Sequence, residues 1–347
     1  MKKIILFFIV ILIAISVTAV FSLSGCKTTA AGETTAGAET TVGETTAVVA
    51  AEEKYIPFIL HHDIDPFAMV IQNGIRAAEK DFASYNIRTQ FIGPPSADLQ
   101  EQIILIDAAI AKKPWGMAVT CKDVDALGPK IKEVISLGIP VVLFNNGAEY
   151  YKELGAIGFV GANGYSEGAA VADRWVKLGR KNVLFINNEQ GNTQIEQRLI
   201  AVRDVIEANG GKVTVAVTEF KDPAFSEASI KAAFQKDKTI DCITGGWGGG
   251  ADAVFVVKLV EELGLQDQVK IGLFDPGLDI LTDIKNGKVE FITTQQQFLQ
   301  GYMPIQMLIL YKTFGVVPKN AIIYTGGGFI DASNVDTAAD FINNGIW

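Results

Sequence analysis

Gly246, Gly248 and Ala251, in the stretch TGGWGGGAD, have the spacing of a relaxed dinucleotide fingerprint. The stretch follows the apolar run TIDCI and opens into the helical pattern DAVFVVKLVEEL. In that order, strand, glycine loop and helix, backbone N–H groups at a helix N-terminus can hold a pyrophosphate. Asp275 ends the next strand-like run, where a ribose-binding carboxylate would stand. The same loop suits different chemistry. Five glycines flank Trp247, and they would bring backbone N–H groups and an indole face close to a small ligand.

Other polar residues gather at the ends of apolar runs. His61-His62-Asp63 and Asp65 follow YIPFIL, Asn145-Asn146 follow IPVVLF, and Asn187-Asn188 with Gln190-Gly191-Asn192 follow NVLFI. Asn, Asp and Gly also make turns, which accounts for any one of these residues singly. As a set they describe a cleft of short carboxylates and amides with Phe67 and Trp247 beside them. Two adjacent histidines, His61 and His62, give a zinc site little to draw on, and no metal is expected. Cys121 and Cys242 have no metal-ligand spacing and no thiolate-activating neighbours, so both are expected to be small buried apolar residues. No nucleophile-elbow pattern starts a Ser-His-Asp triad.

The elements that must position these residues alternate. Strand-like runs YIPFIL, NIRTQFI, WGMAVTC and IPVVLF are separated by helical patterns beginning at Pro66, Asp98 and Asp125. The alternation restarts with IGFVG, NVLFINN, KVTVAVTEF, TIDCIT and KIGLFD, with helices from near Gly164, Thr193, Ser226 and Gly249. Short β-rich runs between helices indicate parallel sheets wound on both faces. The folded part is long for one such core, so two lobes are expected. An eight-fold barrel would alternate too. Open parallel sheets bind ligands beyond the carboxyl ends of their strands, which is where the polar set lies.

Ahead of this, Lys2 and Lys3 precede an unbroken apolar run from Ile4 to Ile15, as in an export signal. The run ends at Leu23-Ser24-Gly25-Cys26, which resembles the lipobox of bacterial lipoproteins. An uncleaved membrane helix is the alternative. Carried over, the lipobox makes residues 1–25 a signal peptide and Cys26 a lipidated N-terminus outside the cytoplasm. Lys27 to about Glu53 is nearly all Thr, Ala, Gly and Glu, too polar to offset its ordering entropy, and reads as a flexible tether. The formal charge is −9, and −11 once Lys2 and Lys3 leave with the signal. An acidic chain without a basic stripe is a poor ligand for nucleic acid.

Five segments, in order, carry a resemblance over almost all of residues 55 to 335. They are Asp65-Pro66-Phe67; the run Ile139 to Asn146; Arg198, seven residues after Gly191; Gly272-Leu273-Phe274-Asp275; and Gln295-Gln296-Gln297-Phe298-Leu299-Gln300-Gly301-Tyr302. They are similar to segments of the type I periplasmic binding proteins, in the group that binds ribose, galactose and related sugars. The resemblance implies two doubly wound parallel-sheet lobes joined by a three-crossing hinge that closes on a ligand. It implies ligand contacts from His61, Asp65, Phe67, Asn145, Asn146, Asn192, Arg198, Trp247, Asp275 and Gln295. Boundaries are expected at 55–162 plus 296–320 for one lobe and 163–295 plus 321–347 for the other, after a linker over 26–54. Crossings are expected near Ala162, Gln295 and Asn320. The implied function is that of a binding protein and not an enzyme: capture of a monosaccharide or small polyol for the permease of an ATP-binding-cassette importer, by a monomer needing no cofactor. A receptor feeding a membrane sensor or chemoreceptor, a binder of a non-sugar molecule, and an anchored nucleotide enzyme are the alternatives. The chain departs from the family in its glycine-rich stretch around Trp247, where Asn-Asp is usual. Gln297 replaces a proline, and His61 stands where a small hydroxyl residue or an aromatic is common.

Overall fold

A computed structural model describes residues 52–62, 66–95, 98–219, 222–245 and 251–346. The signal, Cys26, the linker up to residue 51, Asp65 and Trp247 lie outside the described residues. No helix among those described is long and apolar enough to cross a membrane.

Apolar runs, buried at the centre of each sheet and partly exposed at its edges, form the strands of two sheets. In the first lobe these are β1 (Lys54–Ile59), β2 (Ile87–Ile92), β3 (Met117–Val119), β4 (Val141–Phe144), β5 (Gly158–Gly161) and β11 (Ile322–Tyr324), in the order β11-β5-β4-β3-β1-β2, all parallel. In the second they are β6 (Asn182–Asn187), β7 (Lys212–Val217), β8 (Cys242–Gly245), β9 (Lys270–Phe274), β10 (Phe291–Thr294) and β12 (Gly328–Ile330), in the order β12-β10-β9-β8-β6-β7. Only β12 among them runs antiparallel, against β10. Each position in one sheet therefore has a counterpart in the other: β1 with β6, β3 with β8, β4 with β9, β5 with β10. β4 (VVLF) and β9 (KIGLF) are apolar on both faces because helices cover both sides, as doubly wound sheets require.

Helix starts are set by short polar side chains. Asp98 caps α2 (Leu99–Ile110), Asp123 caps α3 (Val124–Ser136), Asn163 caps α5 (Gly164–Lys177) and Asn192 caps α6 (Thr193–Ala208). Each accepts a hydrogen bond from a first-turn N–H and contributes about 1 kcal/mol. Among the described residues the free cysteines are buried, Cys121 just after β3 and Cys242 at the start of β8.

The chain passes between lobes three times: after β5 at Ala162, after β10 at Gln295, and between β11 and β12. The last crossing falls after Tyr324, beyond the place near Asn320 expected from sequence, because Ile322–Tyr324 pairs with β5. Three residues are too few for a strand to announce itself by alternation. The run that begins at Gln297 is a helix, α10 (Gln297–Phe314), packed in the first lobe against α1 (Pro66–Asp81). Glycines let these two backbones meet. A Cβ on Gly301 would stand 2.0 Å from the Ile71 carbonyl oxygen, and one on Gly74 1.9 Å from that of Phe298.

Gly301→Ala should therefore destabilise the fold by roughly 1–3 kcal/mol through overpacking, measured by urea denaturation. Helix propensity alone favours alanine over glycine by about 1 kcal/mol, so a net loss isolates the α1–α10 contact and a net gain refutes it.

Candidate ligand-binding site

Asn145 follows β4 and Asp275 follows its counterpart β9, and both adopt left-handed backbone, with φ of 63° and 62°. Asn and Asp tolerate this region better than other non-glycine residues. The turn is held by backbone bonds from the fifth strand position: Asn145 N donates to Val160 O at 2.9 Å, and Asp275 N to Thr293 O at 2.8 Å. Both side chains are thereby placed at strand ends while remaining buried.

The amides of the second crossing satisfy them. Gln295 Nε2 donates to both Asp275 oxygens, at 2.9 and 3.0 Å, and Gln297 Nε2 donates to Oδ1 at 3.0 Å. Gln194 Nε2 reaches Gln295 Oε1 at 3.4 Å. On the first lobe Asn146 donates to Asn145, whose Nδ2 donates to Gln300 Oε1 at 3.1 Å. Gln300 in turn donates to the Gln295 carbonyl at 3.3 Å and to Thr325 Oγ1 at 3.2 Å. Asn145, Asn146, Asp275 and Gln295 thus belong to one chain of hydrogen bonds through the hinge. Asn146 Oδ1 and Asn188 Oδ1 are buried acceptors that find no partner among the described residues, a state costing on the order of 1–3 kcal/mol each.

Arg198 lies beside this chain on α6. It is 2% exposed, with Nε and Nη2 both donating to Glu167 Oε2 at 3.1 and 2.7 Å, and its guanidinium sits 4.1 Å from the Phe274 ring centroid. Burial pushes the Glu167 carboxyl up to about 7 against the pull of Arg198, and the charge of Asp275 adds to the rise. Its second oxygen, Oε1, has no partner among the described residues.

His61 and Asn192 meet through a third residue. Asn192 Oδ1 caps α6 by accepting from Gln194 N at 3.0 Å, while its Nδ2 donates to Glu189 Oε2 at 2.8 Å. His61 Nε2 lies 3.7 Å from the same oxygen, and Lys122 Nζ donates to Glu189 Oε1 at 2.7 Å. Burial pushes the His61 imidazole down to about 3, although the neighbouring Glu189 charge opposes it. Burial would push Glu189 up, but His61, Lys122 and the hydrogen bonds from Lys122 and Asn192 outweigh it and hold the carboxyl at about 2. A neutral imidazole cannot supply that charge at neutral pH. Lys122 and the two hydrogen bonds keep Glu189 ionised there. The His61 ring meets His62 edge-on at 4.6 Å between centroids, and His62 tilts toward the half-buried Phe67 at 6.3 Å. These three make an aromatic row at the end of β1.

Glu167, Glu189, Lys122, Gln194 and Gln300 escaped sequence reasoning, and Gln297 entered it only as a departure from a family pattern. Gln297 alone left a signal, since an amide replacing proline two residues after Gln295 could reach the same carboxylate. Among the described residues no group of three His, Cys, Asp or Glu side chains could hold a metal ion.

A profile of the periplasmic binding protein domain matches residues 56–314. The carbohydrate transporter of Acidothermus cellulolyticus 11B, solved in complex with myo-inositol, is 31% identical, with 85% of this chain and 100% of that one covered and a TM-score of 0.77. The xylose/arabinose-binding protein XylF of Sulfolobus acidocaldarius is 24% identical over 298 residues, 81% of this chain and 71% of the relative. An ABC transporter solute-binding protein from Agrobacterium vitis, bound with alpha-D-tagatopyranose, shares the fold at 22% identity and a TM-score of 0.72, over 84% of this chain and 99% of its own.

The Arg198–Glu167 pair has a testable signature. The Glu167 carboxyl lies above its ordinary 4.5 in the fold, so its stabilisation is complete below about pH 4.5 and is lost as pH rises through about 7. Arg198→Met should cost about 3–5 kcal/mol at pH 8, where an unpaired carboxylate is buried, and distinctly less at pH 5. Adding Glu167→Leu should recover most of the loss and flatten the pH dependence. Urea denaturation at the two pH values measures both, and equal losses at pH 5 and 8 would contradict the assignment.

Proposed function

Because the chain belongs to the periplasmic binding protein family, whose members are extracytoplasmic solute binders rather than enzymes, we propose that it is the solute-binding lipoprotein of an ATP-binding-cassette importer. Its ligand on this reading is a monosaccharide or related small polyol, captured between the lobes by hinge closure. The observation that carries the reading is the buried set Asn145, Asn146, Asp275 and Gln295 at the ends of β4, β9 and β10.

A sugar ring offers hydroxyls that both donate and accept, and the set supplies complementary groups. Asp275 accepts, Asn146 and Asn188 each hold an acceptor oxygen in need of a donor, and the glutamine amides do both. A matching polyol satisfies buried groups that a poorer fit leaves unpaired, and this gives selectivity. The row His61, His62 and Phe67, with Trp247 from the glycine loop, would cover apolar C–H faces. The relatives solved or named with myo-inositol and with xylose or arabinose carry ligands of this chemistry. Closure follows if ligand contacts both lobes at once, since a ligand favouring neither form would shift nothing. The lipobox would place Cys26 under diacylglycerol, and more than one acyl chain gives stable anchoring.

In a thermal-shift screen of pentoses, hexoses, inositols, sugar alcohols, nucleosides and dinucleotides, at least one sugar or polyol should raise Tm. None doing so sinks the sugar assignment, and a rise with a dinucleotide alone would favour the glycine-loop cofactor reading. Asp275→Ala should weaken the responding ligand by about 10–100-fold, the equivalent of 1–3 kcal/mol, with the fold intact. In cells, Cys26→Ser should move the protein from the membrane to the soluble fraction and abolish labelling by radioactive palmitate. A labelled, membrane-bound variant would exclude Cys26 as the anchor.

A further inference from the structure

Between the ends of β1 and β3 in one lobe and of β6 in the other stand groups that sugar recognition does not require. Lys122 follows β3, and both its parts reach the second lobe. Its ammonium donates to Glu189 Oε1 at 2.7 Å, and its carbonyl accepts from Thr193 Oγ1 at 2.8 Å and Thr193 N at 3.4 Å. Glu189 follows β6, the counterpart of β1, and Asn192 Nδ2 fixes its other oxygen at 2.8 Å. The lysine side chain is 12% exposed and the glutamate 27%. The pair is therefore screened less than a surface ion pair, where the contribution is small.

We infer that Lys122 and Glu189 form an ion-pair latch that holds the two lobes closed across the strand ends and draws the ligand-free protein toward its closed form. The inference rests on the hinge-closing reading proposed above. Glu189 is a positioning residue: a lobe rotation that opens the cleft separates it from Lys122, while its bond to Asn192 stays within the second lobe. A contact made only in the closed form shifts the open–closed equilibrium by its own interaction energy, whether or not ligand is present. The local geometry favours a specific pair over a fluctuating one. Asn192 is anchored as the cap of α6, and Thr193 pins the Lys122 backbone at the base of its side chain.

The test reads distance without ligand, so a failed sugar screen and a failed latch remain distinguishable. Nitroxides are placed on Ile104→Cys in α2 and Lys258→Cys in α8 (Ala251–Glu262), two exposed positions on opposite lobes, in the chain carrying Cys26→Ser. Cys121 and Cys242 are buried and stay unlabelled. Pulsed dipolar spectroscopy should show Lys122→Met and Glu189→Gln each shifting the distribution to longer distances, with the closed-to-open ratio falling about tenfold. The exchanged pair Lys122→Glu with Glu189→Lys should restore the short distances, which a merely structural role for either residue would not do. Thermal melts confirm that each variant is folded. Unchanged distributions in both single variants overturn the latch, as does an exchanged pair that remains as open as the singles.

Discussion

Burying the Asp275 carboxylate at a strand end is the constraint on which the rest of the site depends. An ionised carboxylate taken out of water must be paired or hydrogen-bonded, and Asp275 is only 5% exposed. Gln295 and Gln297 meet that need from one short segment, which requires two side chains two residues apart to converge on one group. Gln296 makes this convergence possible by taking left-handed backbone, with φ of 51°. Its own amide oxygen accepts from Gly326 N at 3.0 Å, so the second crossing is tied to the third. The strain of a non-glycine residue in that region, about 1–3 kcal/mol, is offset by three hydrogen bonds to a charged acceptor.

The two lobes repeat each other in topology and differ in chemistry. At equivalent strand ends the first lobe offers Asn145 and His61, and the second offers Asp275 and Glu189. An amide at one strand end facing a carboxylate at its counterpart suits a ligand that both donates and accepts, as ring hydroxyls do. Arg198 supplies the positive charge of the second half, yet Glu167 holds two of its three nitrogens. The fork therefore faces inward to a glutamate, with the Phe274 ring beneath it.

Much of the architecture was legible because it is periodic. Nine apolar runs with intervening helical patterns point to two wound lobes, the polar residues at their ends point to Asn145, Asn146 and Asp275, and the family resemblance adds Gln295; the structure brings all four together. What was not legible depends on pairings distant in sequence. Glu167 and Arg198 are 31 residues apart on different helices, and inside a helical pattern a glutamate reads as a solvated face. Lys122 and Glu189 are 67 residues apart in two loops, where charges ordinarily meet only water. The third crossing was misplaced by a few residues because Ile322–Tyr324 becomes a strand only by pairing with β5. The Asn192 side chain, a ligand contact by the family resemblance, also caps α6 and holds Glu189, which its sequence position does not reveal.

A hinge motion would divide these interactions into two kinds. The bonds of Asp275 with Gln295 and Gln297, and of Asn145 with Gln300, lie within one lobe or at the crossings, so a rigid rotation leaves them nearly intact. The contacts of Glu189 and Thr193 with Lys122, and that of Asn73 Nδ2 with the Gly345 carbonyl at 3.2 Å, join opposite lobes and must part. Residues at the crossings already occupy the backbone region that absorbs such turns: Gln296, and Gly326 and Gly327 with φ of 90° and 87°. On the proposed reading the strand-end groups are set before closure, and the interactions that would change are those far from the hinge, where a small rotation produces the largest displacement. Of these the Lys122–Glu189 pair is charged and partly desolvated while the Asn73–Gly345 bond is neutral, so the former has more leverage over whether the cleft stands open.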